Sequence, residues 1–161
     1  MGVKRLLLLR HANAEEALGR ADIDRPLSPR GRAEALEAAH SIARAELVCE
    51  ALIGSPALRA RETALIVAAE LQLGDALQFE PALYLGNPEA LLGPLRRCAD
   101  SINTLLIVGH NPGLSELAQS FNRNAAPIEL RTAGLCLVTL TARMRWRELA
   151  PRHASGLTLL R

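Results

Sequence analysis

Two histidines and two arginines stand where apolar runs stop. Arg10-His11-Ala12 closes Leu6–Leu9, and Gly109-His110-Asn111-Pro112-Gly113 closes Leu105–Val108. The run Val48–Gly54 leads into Ser55-Pro56-Ala57-Leu58-Arg59-Ala60-Arg61-Glu62-Thr63. A guanidinium offers a fixed fork of donors that matches the oxygens of phosphate. An imidazole gains and loses its proton near neutrality and can attack as a nucleophile. Such groups, with no carboxylate pair beside them, point to chemistry on an oxyanion, most simply phosphate. Each signal alone is an ordinary capped helix or solvated arginine; their conjunction carries the reading.

The elements that must bring these residues together are legible as an alternation. Lys4–Leu9, Val48–Gly54, Thr104–Gly109 and Gly134–Thr141 read as strands, and Arg145–Leu149 as a fifth, more exposed one. Near-continuous apolar runs suit strands covered on both faces, as in a parallel sheet. Pro29–Glu46, Pro56–Leu73, Pro88–Ala99 and Pro112–Ser120 have helical length and composition. Strands alternating with helices predict a single α/β domain over residues 1–161. Its expected form is a three-layer α/β/α sandwich with a mostly parallel central sheet. Ala142-Arg143-Met144 between the last two strands predicts a hairpin, and hence an antiparallel edge. Ser28-Pro29, Ser55-Pro56, Asn87-Pro88 and Asn111-Pro112 each read as an N-cap before a proline at the first helical position. The second and fourth follow strands directly. There, the carboxyl ends of parallel strands and the helix N-termini gather anions.

Composition narrows the function further. The 161 residues carry 19 basic and 17 acidic side chains, a net +2, too little to make nucleic acid or an anionic membrane the expected partner. Phe79, Tyr84, Phe121 and Trp146 are the only aromatics, too few for base-stacking. Cys49, Cys98 and Cys136 lie far apart, without Cys-x-x-Cys or His-x-x-x-His spacing, so reduced buried thiols and no metal site are expected. Met1–Leu9 looks like a miniature signal peptide, but its apolar run stops at Arg10-His11, so a cytoplasmic, unexported protein is expected. No run approaches the roughly 20 apolar residues of a membrane span. No Gly-x-Ser-x-Gly elbow or P-loop run occurs.

The order of these segments resembles the histidine phosphatase superfamily, whose usual Arg-His-Gly reads here Arg10-His11-Ala12. It is more similar still to the small bacterial phosphohistidine phosphatases of the SixA type. That likeness is carried by Asp24-Arg25-Pro26-Leu27-Ser28-Pro29-Arg30-Gly31, by Ser55-Pro56-x-Leu58-Arg59-Ala60-x-x-Thr63 and by His110, and it runs from about Lys4 to Leu117. The resemblance implies a phosphoglycerate mutase-like fold and a metal-independent phosphatase without cofactor. It makes His11 the nucleophile that is transiently phosphorylated and then hydrolysed by water. Arg10 and Arg59 would hold the phosphoryl oxygens. His110, protonated when phosphate is bound, would add a donor, with Asn111 and Arg25 at the rim. Thr63, one turn beyond Arg59, is placed for a supporting hydrogen bond. Asn13, His40 and His153 match no site position.

Larger members of the superfamily carry an acid, usually Glu, between the segments that correspond to Arg59 and His110. Glu80 and Glu89 are the candidates here, and neither stands in a matching motif. A missing acid handicaps phosphate esters more than phosphohistidine, whose imidazole leaves protonated. A phosphohistidine-bearing protein is therefore the expected substrate. The rivals are a phosphatase for small esters, using Glu80 or Glu89, and a non-catalytic phosphate-binding module. The Arg131–Arg161 segment has six arginines and only Glu148 against them, and a solvated basic face is expected there.

Overall fold

A computed structural model describes residues 2–124 and 126–160. Six strands form one sheet: β1 (Arg5–Arg10), β2 (Ala51–Gly54), β3 (Leu77–Phe79), β4 (Thr104–Gly109), β5 (Leu135–Leu140) and β6 (Ala154–Leu160). Their spatial order is β3-β2-β4-β1-β5-β6. The pairs β2–β3, β2–β4 and β1–β4 are parallel, while β1–β5 and β5–β6 are antiparallel. Four helices cover the sheet: α1 (Pro29–Arg44), α2 (Leu58–Glu70), α3 (Pro88–Arg96) and α4 (Gly113–Phe121).

The pleat explains why the apolar runs are continuous. Leu6 and Leu8 of β1 and Leu105 and Ile107 of β4 pack on one face, against Leu91, Leu95, Leu114 and Leu117 of α3 and α4. Leu7, Leu9, Leu106 and Val108 pack on the other, against Ala39, Ile42, Ala64 and Val67 of α1 and α2. Alternate side chains thus serve opposite layers, and both must be apolar. The expected three-layer architecture with its antiparallel edge is the one found.

Several boundaries differ, for identifiable reasons. Arg145–Leu149 is not a strand. Trp146 is fully buried and opens a short 3-10 turn, its backbone N–H donating to Asp100 Oδ1 and its indole N–H to the Ile102 carbonyl at 2.8 Å. The antiparallel edge is closed by β6, which lies inside the Arg-rich segment, so the hairpin is not built on a three-residue turn. Arg161, like Met1, lies outside the described residues. The three-residue β3 had no counterpart in the sequence reading. Cys136 is buried and Cys49 and Cys98 are half-buried, and all three are free; burial pushes the Cys49 and Cys136 thiols up to about 12. No helix among the described residues is long and apolar enough to cross a membrane.

Two of the four expected caps form as read: Ser28 Oγ accepts from the Gly31 N–H and Asn87 Oδ1 from the Ala90 N–H. Ser28 also donates to Asn13 Oδ1 at 2.7 Å, so α1 begins directly on the loop that follows His11. Gly31 makes this approach possible, because a Cβ there would overlap the backbone carbonyl of Asn13. Gly31→Ala is expected to cost about 2–4 kcal/mol, read as a lowered midpoint in urea unfolding at unchanged slope. A change within about 0.5 kcal/mol would show that the loop yields freely.

Candidate active site

Strand register assembles the site. β1 and β4 are parallel neighbours with Arg10 opposite Gly109, so His11 and His110 emerge side by side at the carboxyl end of the sheet. Their ring centroids are 5.0 Å apart. β2 flanks β4 on its other side, with Gly54 opposite Val108, and delivers Ser55 and the first turn of α2 to the same end. Arg59, in that turn, is only 4% exposed and turns Nε to His11 Nε2 at 3.3 Å. Thr63, one turn on, accepts from the Ala12 N–H at 3.1 Å and donates to the Arg59 carbonyl at 2.7 Å. It thereby ties the residue after His11 to the arginine.

The state of His11 follows from its partners. Nδ1 lies 2.8 Å from the Ala12 carbonyl, which only a protonated nitrogen can satisfy. Nε2 therefore carries the lone pair, and Arg59 Nε donates to it. Burial, opposed by the Ala12 hydrogen bond and assisted by Arg59, Arg10 and Arg25, pushes the ring down to about 4. Burial, then the neighbouring His11 and Arg59, push His110 down to about 3, against the pull of Asp22. Both rings are neutral at neutral pH. His110 Nε2 meets Ser55 Oγ at 2.7 Å, while its Nδ1 is buried without a partner. Arg10 donates from Nη1 to the Leu130 carbonyl at 3.0 Å and leaves Nε buried and unpartnered.

These depressed values fix a pH dependence. The unfolded chain takes up a proton on each histidine as pH falls below about 6.5, whereas the folded chain resists until about 4 or 3. Stability is therefore full above about 6.5 and falls as pH drops, by up to about 1.4 kcal/mol per pH unit per histidine. A thermal midpoint declining from pH 7 to pH 4.5, and less steeply in His110→Ala, is the expected result. Equal slopes would contradict the burial of a neutral His110.

The other expected residues divide. The side chain of Asn111 is occupied, its Nδ2 donating to the Leu130 carbonyl at 2.8 Å and its Oδ1 accepting from Ser115 Oγ at 2.7 Å. It does not cap α4, which starts at Gly113. Nor does Ser55 cap α2, which starts at Leu58. Both cap-like residues are drawn instead into the scaffold around the histidines. Arg25 donates from Nε to the Glu15 carbonyl and from Nη1 to Asp22 Oδ1 at 3.1 Å. Glu80 pairs with Arg97 and Glu89 with Arg96, so the carboxylates of both acid candidates are engaged away from the histidines.

One residue of the cluster escaped the sequence reading. Asp22 accepts from Arg59 Nη2 at 3.0 Å through Oδ2, which Tyr84 Oη also reaches at 3.0 Å, and from Arg25 through Oδ1. Its backbone carbonyl accepts from Arg59 Nη1 at 2.7 Å. The only sequence signal was its place two residues before Asp24-Arg25-Pro26. Burial opposes its charge, yet the hydrogen bonds from Tyr84, Arg25 and Arg59 hold it at about 2. Among the described residues, no group of three or more His, Cys, Asp or Glu side chains could hold a metal ion.

The family model for the histidine phosphatase superfamily (branch 1) matches residues 6–84, which include Arg10, His11, Asp22 and Arg59. The chain belongs to the histidine phosphatase superfamily. Within that superfamily it is similar in structure to SixA-type proteins. One, provisionally assigned as phosphohistidine phosphatase SixA in Nakamurella multipartitia, superimposes with TM-score 0.81 at 26% identity, over 100% of this chain and 96% of the other. A second, with the same provisional assignment in Agrobacterium tumefaciens, gives TM-score 0.76 at 27% identity, over 87% and 94%. An uncharacterized protein of Mycobacterium tuberculosis is 38% identical over 111 residues, 68% of this chain and 67% of its own length. Membership of this superfamily supports a hydrolase of the phosphatase class.

Proposed function

We propose that the chain hydrolyses the phosphorus–nitrogen bond of phosphohistidine carried on a protein, in two displacements through a phosphoryl group on His11 Nε2, with no catalytic metal. The observation that carries this reading is the fixed tautomer of His11: one nitrogen donates to the Ala12 carbonyl and the other keeps its lone pair beside Arg59. In the first displacement, Nε2 bonds to phosphorus as the bond to the substrate ring nitrogen breaks. The electron pair stays on that nitrogen, and the ring, protonated on its other nitrogen, leaves as neutral imidazole. In the second, water attacks phosphorus, the pair returns to Nε2, and both protons of the water leave with dihydrogen phosphate. Splitting the transfer lets one set of donors serve both transition states.

Arg10 and Arg59 hold the phosphoryl oxygens in this reading, and the charge of phosphate draws a proton onto His110, whose unpartnered Nδ1 then donates. An ester would need a proton for its alkoxide. Asp22 is ionised, and Glu80 and Glu89 are engaged elsewhere, which favours the phosphoramidate. Access fits a side chain displayed on another protein, since Asp22 at the rim is exposed and Tyr84 half-buried. Turnover of a phosphohistidine peptide should exceed that of sugar phosphates at equal concentration. A strong preference for the sugar phosphates overturns the reading, and normal phosphate binding without any turnover leaves a binding module.

A further inference from the structure

Arg59 divides its guanidinium between two partners. Nε faces the nucleophilic nitrogen of His11, while Nη1 and Nη2 are taken up by the carbonyl and carboxylate of Asp22. Asp22 therefore stands across one guanidinium from His11, on the solvent side of the cluster. It is held there from three directions, by Arg59, by Arg25 and by the hydroxyl of Tyr84, whose ring packs edge-on against His110 at 5.6 Å. A phosphoryl group arriving at His11 Nε2 must take donors from Arg59, and any leaving group in line with that nitrogen points outward past the same rim. Whether the carboxylate keeps the outer edge of the fork or turns toward Arg25 and Tyr84, a fixed negative charge stays beside the leaving group. Opposite charges at this separation attract and like charges repel, by amounts that shift binding severalfold even at a solvated rim.

We infer that Asp22 determines specificity at this site: its carboxylate selects phosphorylated groups whose leaving part carries an N–H donor or a positive charge, and rejects those whose leaving part is an anion. This rests on the reading that phosphate binds at His11 and Arg59, and it adds why that site takes a phosphoramidate. The carboxylate accepts from the free ring N–H of a protonated phosphohistidine and so stabilises the form that leaves as neutral imidazole. The same charge competes with free phosphate and carboxylate-bearing esters for the fork of Arg59.

The test compares two small phosphate esters of similar shape whose leaving parts carry opposite charge, phosphoethanolamine with its ammonium and phosphoglycolate with its carboxylate, by calorimetric titration of the wild-type protein, Asp22→Asn and Asp22→Glu. The wild type should prefer phosphoethanolamine by about tenfold. Asp22→Asn, which keeps the shape and a hydrogen-bond acceptor, should bring the two Kd values together, chiefly by tightening phosphoglycolate. Asp22→Glu should keep the preference. A residue that merely holds the loop would shift both ligands alike. A ratio unmoved by Asp22→Asn, or binding of neither ligand, overturns the inference. Because binding is read without turnover, the result stands apart from whether phosphohistidine is the substrate.

Discussion

His11→Ala is expected to lower kcat on a phosphohistidine peptide by about 10⁴-fold or more, with orthophosphate or vanadate still bound within about tenfold of the wild-type affinity. The asymmetry follows from the division of labour in the cluster. The imidazole supplies the electron pair that forms the new bond, and Arg10 and Arg59 supply most of the charge that an oxyanion meets. Arg59 keeps its two bonds to Asp22 without the ring, so no buried charge is left unpaired and the variant should fold. Rapid quenching with a ³²P-labelled substrate should trap an acid-labile phosphoryl group on the wild-type protein and none on His11→Ala. Label that persists in the variant would place the intermediate elsewhere, and turnover above about 1% of wild type would remove the nucleophile assignment.

The second large effect belongs to Arg59. Arg59→Gln should reduce kcat/KM by about 10²–10³-fold, and Arg59→Lys by nearly as much, because an ammonium is a point charge and cannot serve two partners along one plane. The structure shows both edges of the guanidinium in use, Nε on His11 and the two Nη groups on Asp22. A second readout separates this from damage to packing. Arg59 is one of the charges that depress His11, so NMR titration should find the His11 pKa raised in Arg59→Gln and not in Arg59→Lys. A large loss of activity with an unmoved His11 titration would assign Arg59 a purely steric role.

How far the sequence reached can be judged element by element. The run Thr104–Gly109 was legible to the residue because Leu105–Val108 are buried and apolar, Thr104 and Gly109 bound them, and His110-Asn111-Pro112 follow. Ser28 and Asn87 were readable as caps because a cap is a contact across three residues, closed within one turn. Ser55 and Asn111 have the same local signature and no such cap. Their oxygens meet His110 and Ser115, and His110 arrives from a different strand. Trp146 looked like part of an exposed strand because nothing local reveals that Asp100 and Ile102 hold it inside. Asp22 looked like one more charge in a polar loop, since its meaning lies in Arg59, 37 positions on.

By itself, then, the sequence determined the alternation of strands and helices, the layers they form and the identity of the four groups at the strand ends, all consequences of hydrophobic period and local backbone chemistry. The tertiary structure decided which nitrogen of His11 keeps its lone pair, that His11 and His110 are neutral, and that a carboxylate from a distant loop shares the guanidinium of Arg59. Protonation and hydrogen-bond pairing depend on burial and on the positions of remote charges, and both exist only once the sheet has closed in register.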